Sequence, residues 1–250
     1  MKKVIFLFNK TLSAPKPWLD AGYECWLFDG QHPKGVTRDG NIIRVGMWFS
    51  AEDQQNQIAY IGDLVGDGVE FICSFAECTY LTTTGARWFY HPDDKGLPVL
   101  ERRPHPLYPN RKRDRDEAVV MAKMVEELAQ HVGTTCWMLE NPAISSLNTM
   151  WRKPDHNFHP YEYGGYLPLN DVHPEYPHNY PPRDAYHKNT GIWCGNGFVM
   201  PEKKPVVPVP GDFHQVTRVG GKSIKTKNIR SYTPRGFARA IFESNANGQK

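Results

Sequence analysis

The sequence predicts an α/β protein with a doubly wound, mostly parallel sheet and an irregular, aromatic-rich insertion. Short apolar runs, typical of strands buried on both faces, alternate with helical patterns through residues 1–142. Proline and aromatic residues then crowd residues 143–218, where no helical period is present. We therefore expect a core over 1–142, an insertion over 143–218, and a C-terminal segment over 219–250 that returns to the core.

The chain opens with a predicted β-α-β unit. Residues 4–8 form a continuous apolar run, and residues 18–23 favour a short helix that ends at Gly22. The second strand, over residues 24–28, stops before Asp29 and Gly30. An acidic residue is therefore expected at the tip of the second strand.

The next elements continue the alternation of helix and strand. Residues 54–61 favour a helix, and a third strand is expected over residues 69–73. Between them, Gly62, Asp63 and Leu64 are interpreted as a turn.

A long amphipathic helix is expected over residues 116–132, followed directly by a strand over 135–139. Apolar side chains at helical spacing form one stripe along this helix: Met121, Met124, Val125, Leu128 and Val132. The charged run over 111–116 is interpreted as a solvated loop before the helix. Strands that alternate with helices in this way imply a Rossmann-like, parallel sheet.

Fewer regular elements are expected beyond residue 142. Short strands are predicted near residues 191–193 and 197–199 of the insertion. The last helix is expected to begin at Pro234, because proline suits the first turn of a helix, and to continue to about Ser244.

Composition limits the class of protein. The 250 residues carry a formal net charge of +3, which does not indicate a dedicated reader of duplex DNA. The five cysteines lack Cys-x-x-Cys spacing, so neither a disulfide framework nor a zinc site is expected. Histidines of the insertion also lack a metal-binding spacing: His156, His159, His173, His178 and His187. No signal peptide or membrane span is predicted, and the chain is expected to be soluble and cytoplasmic.

Two short segments contain the candidate catalytic residues. Cys78 follows the predicted strand over 69–73, and Glu140 follows the predicted strand over 135–139. The carboxyl ends of parallel strands meet at one edge of an open α/β sheet, where ligands bind. A thiol and a carboxyl group at that edge suit a nucleophile and a proton donor.

The order of these features resembles the DNA cytosine carbon-5 methyltransferases, and more closely the small methylase-like proteins of bacterial viruses (bacteriophages). The resemblance covers most of the chain. Its pieces are the loop over 7–18, Leu27-Phe28-Asp29-Gly30, Gly62-Asp63-Leu64, Cys78-Thr79 through Gly85-Ala86-Arg87, Glu140-Asn141-Pro142 and Ser231-Tyr232-Thr233-Pro234.

The resemblance implies S-adenosylmethionine as the cofactor. The acidic strand tip would contact the ribose, the Gly-Asp turn would contact the adenine, and the last motif would complete the pocket beside the first strand. The cofactor-binding residues that it implies are Phe8, Asn9, Asp29, Gly30, Asp63, Leu64 and Thr233.

The catalytic residues implied by the resemblance are Cys78, Glu140, Asn141 and Arg87, with Arg183 and Arg218 as alternatives for the basic residue. The thiolate of Cys78 would add to carbon 6 of cytosine, because carbon 5 is not nucleophilic before that addition. Glu140 would protonate or hydrogen-bond ring nitrogen 3. Asn141 would position the motif backbone and the base. The substrate would be cytosine in DNA, single-stranded or duplex, or in a nucleotide.

Three departures from the family pattern keep other functions open. Glu77 stands where the family has proline, the first loop, over residues 10–15, contains no glycine, and the basic residue expected late in the catalytic set has no clear match. The insertion carries seven Lys/Arg and seven Asp/Glu, so it lacks the positive excess of a duplex reader. The alternatives are a catalytically silent binding protein of the same fold and an enzyme that transfers a different group to a pyrimidine.

Overall fold

The computed structural model describes residues 1–210 and 223–246. Its strands are β1 (Lys3–Leu7), β2 (Glu24–Phe28), β3 (Gly35–Asp39), β4 (Ile42–Gly46), β5 (Val69–Ser74), β6 (Trp137–Pro142), β7 (His156–Phe158) and β8 (Thr190–Cys194). Its α-helices are α1 (Lys16–Asp20), α2 (Gln54–Val65), α3 (Arg111–Val132), α4 (Leu147–Met150), α5 (Ile224–Ser231) and α6 (Arg235–Asn245). Within the described ranges, no helix combines the length and apolar character that crossing a membrane requires.

The strands form one mixed sheet in the order β3-β4-β2-β1-β5-β6-β8-β7. Strands β3 and β8 run against the other six, so the predicted α/β class with a mostly parallel sheet is confirmed. The chain order of the strands reverses between β1 and β5. In open α/β sheets a crevice for ligands lies at such a reversal, outside the carboxyl ends of the strands.

Alternate side chains of each central strand pack on opposite faces of the sheet. In β1, Ile5 and Leu7 pack with α2 and α3, whereas Val4 and Phe6 pack with α1 and α6. This two-sided burial explains why the strands read as continuous apolar runs. The apolar stripe of α3 and the buried Phe237, Ala240 and Ile241 of α6 supply the covering layers.

Several predicted boundaries are wrong in ways that matter for function. Strand β1 ends at Leu7, and Phe8 leaves it in the left-handed region with φ of 55°. Strand β6 continues to Pro142, so Glu140 and Asn141 lie inside the strand instead of after it. The cause is antiparallel pairing with β8, which supplies partners for residues 138–142.

Two further predictions concern the helices and are also wrong. Gly62, Asp63 and Leu64 form the last turn of α2 instead of a separate turn. The charged run over 111–116 is the first part of α3, not a solvated loop.

The region over 143–210 is more than an irregular cover, because β7 and β8 complete one edge of the sheet. The predicted strand near 191–193 is confirmed as part of β8, whereas residues 197–199 form no strand. Helix α5 and the β3–β4 hairpin were not predicted from the sequence. Gly40, with φ of 55°, makes the tight turn of that hairpin together with Asn41.

A buried polar cluster attaches this region to α6. Both carboxylate oxygens of Asp171 accept hydrogen bonds from the guanidinium of Arg235, at 2.7 and 2.6 Å. The backbone N–H of Gly236 donates to buried Asp184 at 2.8 Å. Burial raises the pKa of Asp184 to about 6, against the opposing effect of Arg235. Burial, followed by Arg235, lowers the pKa of His173 to about 4.

Asp184→Asn is expected to change how stability depends on pH. Because the folded state raises the pKa of Asp184 from its ordinary 3.8 to about 6, this carboxyl group stabilises the fold below pH 4. Its contribution is lost as the pH rises through 6, by about 3 kcal/mol. Urea unfolding between pH 4 and 7 should show that loss in the wild-type chain and not in the variant.

Comparing the pH dependence of stability in the wild-type chain and in Asp184→Asn separates the contribution of Asp184 from that of His173. The lowered pKa of His173 changes stability with pH in the opposite direction. Stability from His173 is present above pH 6.5 and is lost as the pH falls through 4. Asp20→Asn, which changes an exposed carboxylate on α1, is the control. Parallel pH curves for wild type and Asp184→Asn would contradict the prediction.

Candidate active site

The loop that carries Cys78 follows β5 and is tied to the neighbouring strand β6. The side-chain amide of Asn141, in β6, donates to the carbonyl of Ala76 at 2.9 Å. The carbonyl of Cys78 accepts the backbone N–H groups of Leu81 and Thr82, which closes a turn at the thiol. Because β5 and β6 are parallel neighbours, these contacts place Cys78 and Asn141 at the same edge of the sheet.

Glu140 also lies at this edge and is paired with a lysine. Nζ of Lys188 lies 3.4 Å from Oε1 of Glu140, and both side chains are largely buried. Lys188 precedes β8, the strand that pairs with β6. The antiparallel register therefore brings a cation from the insertion next to the predicted acid.

The charges at this edge act on the thiol of Cys78. Cys78 is exposed at the surface, and the loss of solvation caused by the atoms packed around its thiol is the largest cause that raises its pKa. Glu140 and Glu77 also raise this pKa, whereas Lys188 and Arg230 of α5 lower it. The thiol thus lies within the field of the predicted acid and of two cations.

Glu77, the departure beside the nucleophile, is hydrogen-bonded. The hydroxyl of Thr79 donates to Oε1 of Glu77 at 2.6 Å. This neutral partner orients the carboxylate without cancelling its charge. Glu77 therefore still opposes formation of the thiolate.

The basic residue near the acid is not the one predicted. Arg87 is exposed, and its guanidinium lies over the ring of Trp88 at 4.8 Å. Among the described residues, Lys188 pairs with Glu140, and Lys188 and Arg230 are the cations with the largest effect on Cys78. Arg183, one of the alternatives, lies next to Asp184, and the other, Arg218, lies outside the described residues.

The loops after β1 and β2 are joined at the other part of the same sheet edge. The backbone N–H of Asn9 donates to the carbonyl of Phe28 at 3.1 Å, and Nε2 of His32 lies 3.0 Å from the carbonyl of Asn9. The side chain of Lys10 donates to the carbonyl of Gln31 at 2.8 Å. The first loop, although free of glycine, is therefore closely held.

Asp29 and Gly30 lie under an exposed indole. One oxygen of Asp29 accepts the backbone N–H of Gln31 at 2.7 Å, so part of its role is to shape the turn. The ring of Trp48 lies so close to Gly30 that a Cβ there would overlap it. Trp48 is nevertheless 77% exposed, so most of its ring is open to a ligand.

The predicted cofactor residues divide between opposite edges of the sheet. The carbonyl of Thr233 accepts a hydrogen bond from Ser13 at 2.7 Å, which places Thr233 beside the first loop, the segment that begins after Phe8 and Asn9. Asp63 and Leu64 instead lie at the end of α2, where Lys3, at the start of β1, reaches the carbonyl of Val65. Asp63 and Leu64 therefore cannot line one pocket with Asp29.

Three buried polar atoms at the carboxyl ends of adjacent strands have no hydrogen-bond partner among the described residues. They are Oδ1 of Asn9 after β1, Oγ of Ser74 at the end of β5 and Oδ1 of Asn141 in β6. Buried polar atoms usually have partners, so unpaired ones at a crevice indicate a polar ligand. The carboxylate of Asp29 and the exposed ring of Trp48 lie at the same edge of the sheet, so this edge offers polar groups and one aromatic surface to a ligand.

Three residues of this site were not predicted from the sequence: Lys188, Arg230 and Trp48. Trp48 and Phe49 lie two and three residues after the end of β4 at Gly46. Prediction of the β3–β4 hairpin would have placed them at the end of a strand. Lys188 and Arg230 approach Cys78 only through the folding of distant segments. Their roles have no local signal.

The fold and the crevice define an α/β protein with a thiol and a carboxyl group at the carboxyl ends of adjacent parallel strands. In the described part of the chain, no group of three or more histidine, cysteine, aspartate or glutamate side chains is arranged to hold a metal ion. No protein-family model matches the chain, and no curated protein matches it in sequence. Function is therefore inferred from the geometry of the crevice.

Proposed function

We propose that this protein transfers a methyl group from S-adenosylmethionine to carbon 5 of cytosine in DNA or in a nucleotide. The observation that carries the proposal is the meeting of Cys78 and Glu140 at one edge of the sheet. The hydrogen bond from the side chain of Asn141 to Ala76 links the loop that carries Cys78 to the strand that carries Glu140. The effect of Glu140 on the pKa of Cys78 reflects their proximity.

The order of the parallel strands supports a Rossmann-like core. Without the hairpin strand β3, the order β4-β2-β1-β5-β6 corresponds to the third, second, first, fourth and fifth strands in sequence. This is the 3-2-1-4-5 part of the doubly wound order. The antiparallel β8 departs from that order and brings in Lys188.

In the proposed mechanism, the thiolate of Cys78 adds to carbon 6 of the cytosine ring. Glu140 stabilises the charge that develops at ring nitrogen 3 by donating a proton or hydrogen bond. When bound beside Asp29 and Trp48, S-adenosylmethionine would supply an electrophilic methyl group to carbon 5 and would leave as S-adenosylhomocysteine. Loss of the proton from carbon 5 and departure of the Cys78 thiolate then restore the aromatic ring. A base in a duplex must leave the stack to reach Cys78.

Wild-type protein is expected to transfer radioactive methyl groups from S-adenosylmethionine to cytosine-containing DNA or nucleotide. Digestion to nucleosides and mass analysis would identify the product as 5-methylcytosine or as another modified pyrimidine. A product of a different mass would favour the alternative in which another group is transferred. No modified base with any of these substrates would reject the enzymatic proposal.

Trp48→Ala is expected to weaken binding of S-adenosylmethionine by about 5- to 150-fold, because base–aromatic stacking contributes about 1–3 kcal/mol. Calorimetry measures this affinity directly. The matched control is Tyr60→Ala, which removes a partly exposed aromatic ring on α2. Equal affinities of wild type and Trp48→Ala would contradict the assignment of this pocket.

A second candidate is a binding protein of the same fold without catalytic activity. The specific observation in its favour is the raised pKa of Cys78, which Glu77 and Glu140 both increase. A second observation in favour of this candidate is an aromatic pair at the end of β1. The ring centroids of Phe8 and Phe49 lie 4.3 Å apart, and the two rings occupy space beside the first loop. A silent binder with a filled pocket should give no heat with S-adenosylmethionine.

A further inference from the structure

We propose that Arg111 is a positioning residue that holds the Cys78 turn in place through the carbonyl of Thr79. The inference rests on the proposed role of Cys78 as the nucleophile. Arg111 is the first residue of α3, about thirty positions from Cys78 along the chain, and it is buried. Its terminal nitrogen Nη2 donates to the carbonyl of Thr79 at 2.9 Å.

Aromatic rings hold the guanidinium of Arg111 in this position. Its central carbon lies 5.2 Å from the ring centroid of Tyr80 and 5.4 Å from that of Phe89. Both contacts are within the range of cation–π attraction. Thr79 and Tyr80 directly follow Cys78. The guanidinium therefore contacts the Cys78 turn twice, through its terminal nitrogen at Thr79 and through its plane at the ring of Tyr80.

The contacts of Arg111 are poor for stability alone. Its Nε atom is buried without a hydrogen-bond partner among the described residues. A buried charge with an unpaired donor is unfavourable relative to an apolar side chain of similar volume. What Arg111 adds is a link from the turn to a helix that packs against the sheet, and rigid elements hold a reactive group more accurately than loops.

Gly85 leaves the space that Arg111 occupies. A Cβ at this position would overlap Nη2 of Arg111, the far end of a flexible side chain. Alanine at position 85 would therefore displace the guanidinium without removing its charge. The two variants Arg111→Ala and Gly85→Ala test the same contact in different ways.

The experiment measures the rate at which iodoacetamide alkylates Cys78 as a function of pH, with peptide mass analysis to separate Cys78 from the other cysteines. Loss of solvation among the atoms packed around the thiol is the largest cause of the raised pKa of Cys78, and Glu140 and Glu77 add to it. Loosening the turn lets the thiol, which is already at the surface, leave this packed position and move away from the two carboxylates. Arg111→Ala and Gly85→Ala should therefore both move this pKa towards about 8.5. The control, Arg113→Ala, removes an exposed arginine from the same helix and should leave the profile unchanged.

Turnover provides the second measurement. A small misplacement of the thiol should lower kcat by about 10- to 100-fold in Arg111→Ala and Gly85→Ala, with KM for both substrates unchanged. In the double variant the effects should not add, because both remove one contact.

Wild-type alkylation profiles for both variants, with native folding confirmed by circular dichroism, would overturn the positioning role. An equal shift for Arg113→Ala, or additive effects in the double variant, would also overturn it. If Arg111→Ala does not fold, Gly85→Ala tests the contact alone. The expected alkylation shifts in a protein without methyl transfer would support the positioning role and reject the proposed function.

Discussion

Replacing Cys78 by serine is expected to lower methyl transfer to cytosine by at least about 10³-fold while leaving the fold intact. A serine hydroxyl is far less ionised and less nucleophilic than a thiol, and removal of a nucleophile abolishes the covalent route. Cys78 is exposed, so the substitution should change the free energy of unfolding by less than about 0.5 kcal/mol.

Covalent capture gives the sharpest measurement of this effect. In DNA containing 5-fluorocytosine, carbon 5 carries fluorine, which cannot leave as a proton does, so the adduct with Cys78 should persist. Intact-mass analysis should find this adduct in the wild-type protein and not in Cys78→Ser. The control is Cys194→Ser, at a half-buried thiol at the end of β8. Unchanged product formation by Cys78→Ser would reject the mechanism.

Replacing Glu140 by glutamine is expected to produce two opposite effects. Methyl transfer should fall by about 10²- to 10⁴-fold, because the proton donor at ring nitrogen 3 is lost. The thiol of Cys78 should become more reactive, because the charge of Glu140 raises its pKa and that charge is removed. Lys188, freed from its ion pair at 3.4 Å, should add to this increase.

Steady-state turnover and the pH profile of Cys78 alkylation measure the two effects separately. Glu24→Gln is the matched control, since Glu24 is a buried carboxylate paired with Arg38 at 2.9 Å and lies at the start of β2. Wild-type turnover in Glu140→Gln would contradict the proposed acid. Alkylation slower than in the wild type would contradict the electrostatic coupling between Glu140 and Cys78.

Much of the sheet was predictable because burial on both faces leaves a local signal. The central strands β1, β2 and β5 were each located to within one residue at either end. Residues 25–28 of β2 are all apolar because alternate side chains pack on opposite faces of the sheet. The apolar stripe of α3 was equally local.

The limits of strands and helices were less predictable where partners come from distant sequence. Glu140 and Asn141 belong to β6 because β8, about fifty residues later, pairs with them. Asp63 belongs to α2 because the helix continues to Val65, where it meets the start of β1. A Gly-Asp pair in isolation resembles a turn, and helix continuation depends on tertiary packing.

The candidate site shows the same division. Cys78 and Glu140 were identifiable from the sequence because each follows or ends an apolar strand, and their meeting at one edge follows from parallel pairing. The ion pair with Lys188, the approach of Arg230 and the buried Arg111 required the folded chain. An apolar pattern can be recognised in the sequence because it depends on residues that are close along the chain. The charges around the thiol of Cys78 come from distant segments, and only the tertiary fold and the register of the strands bring them together.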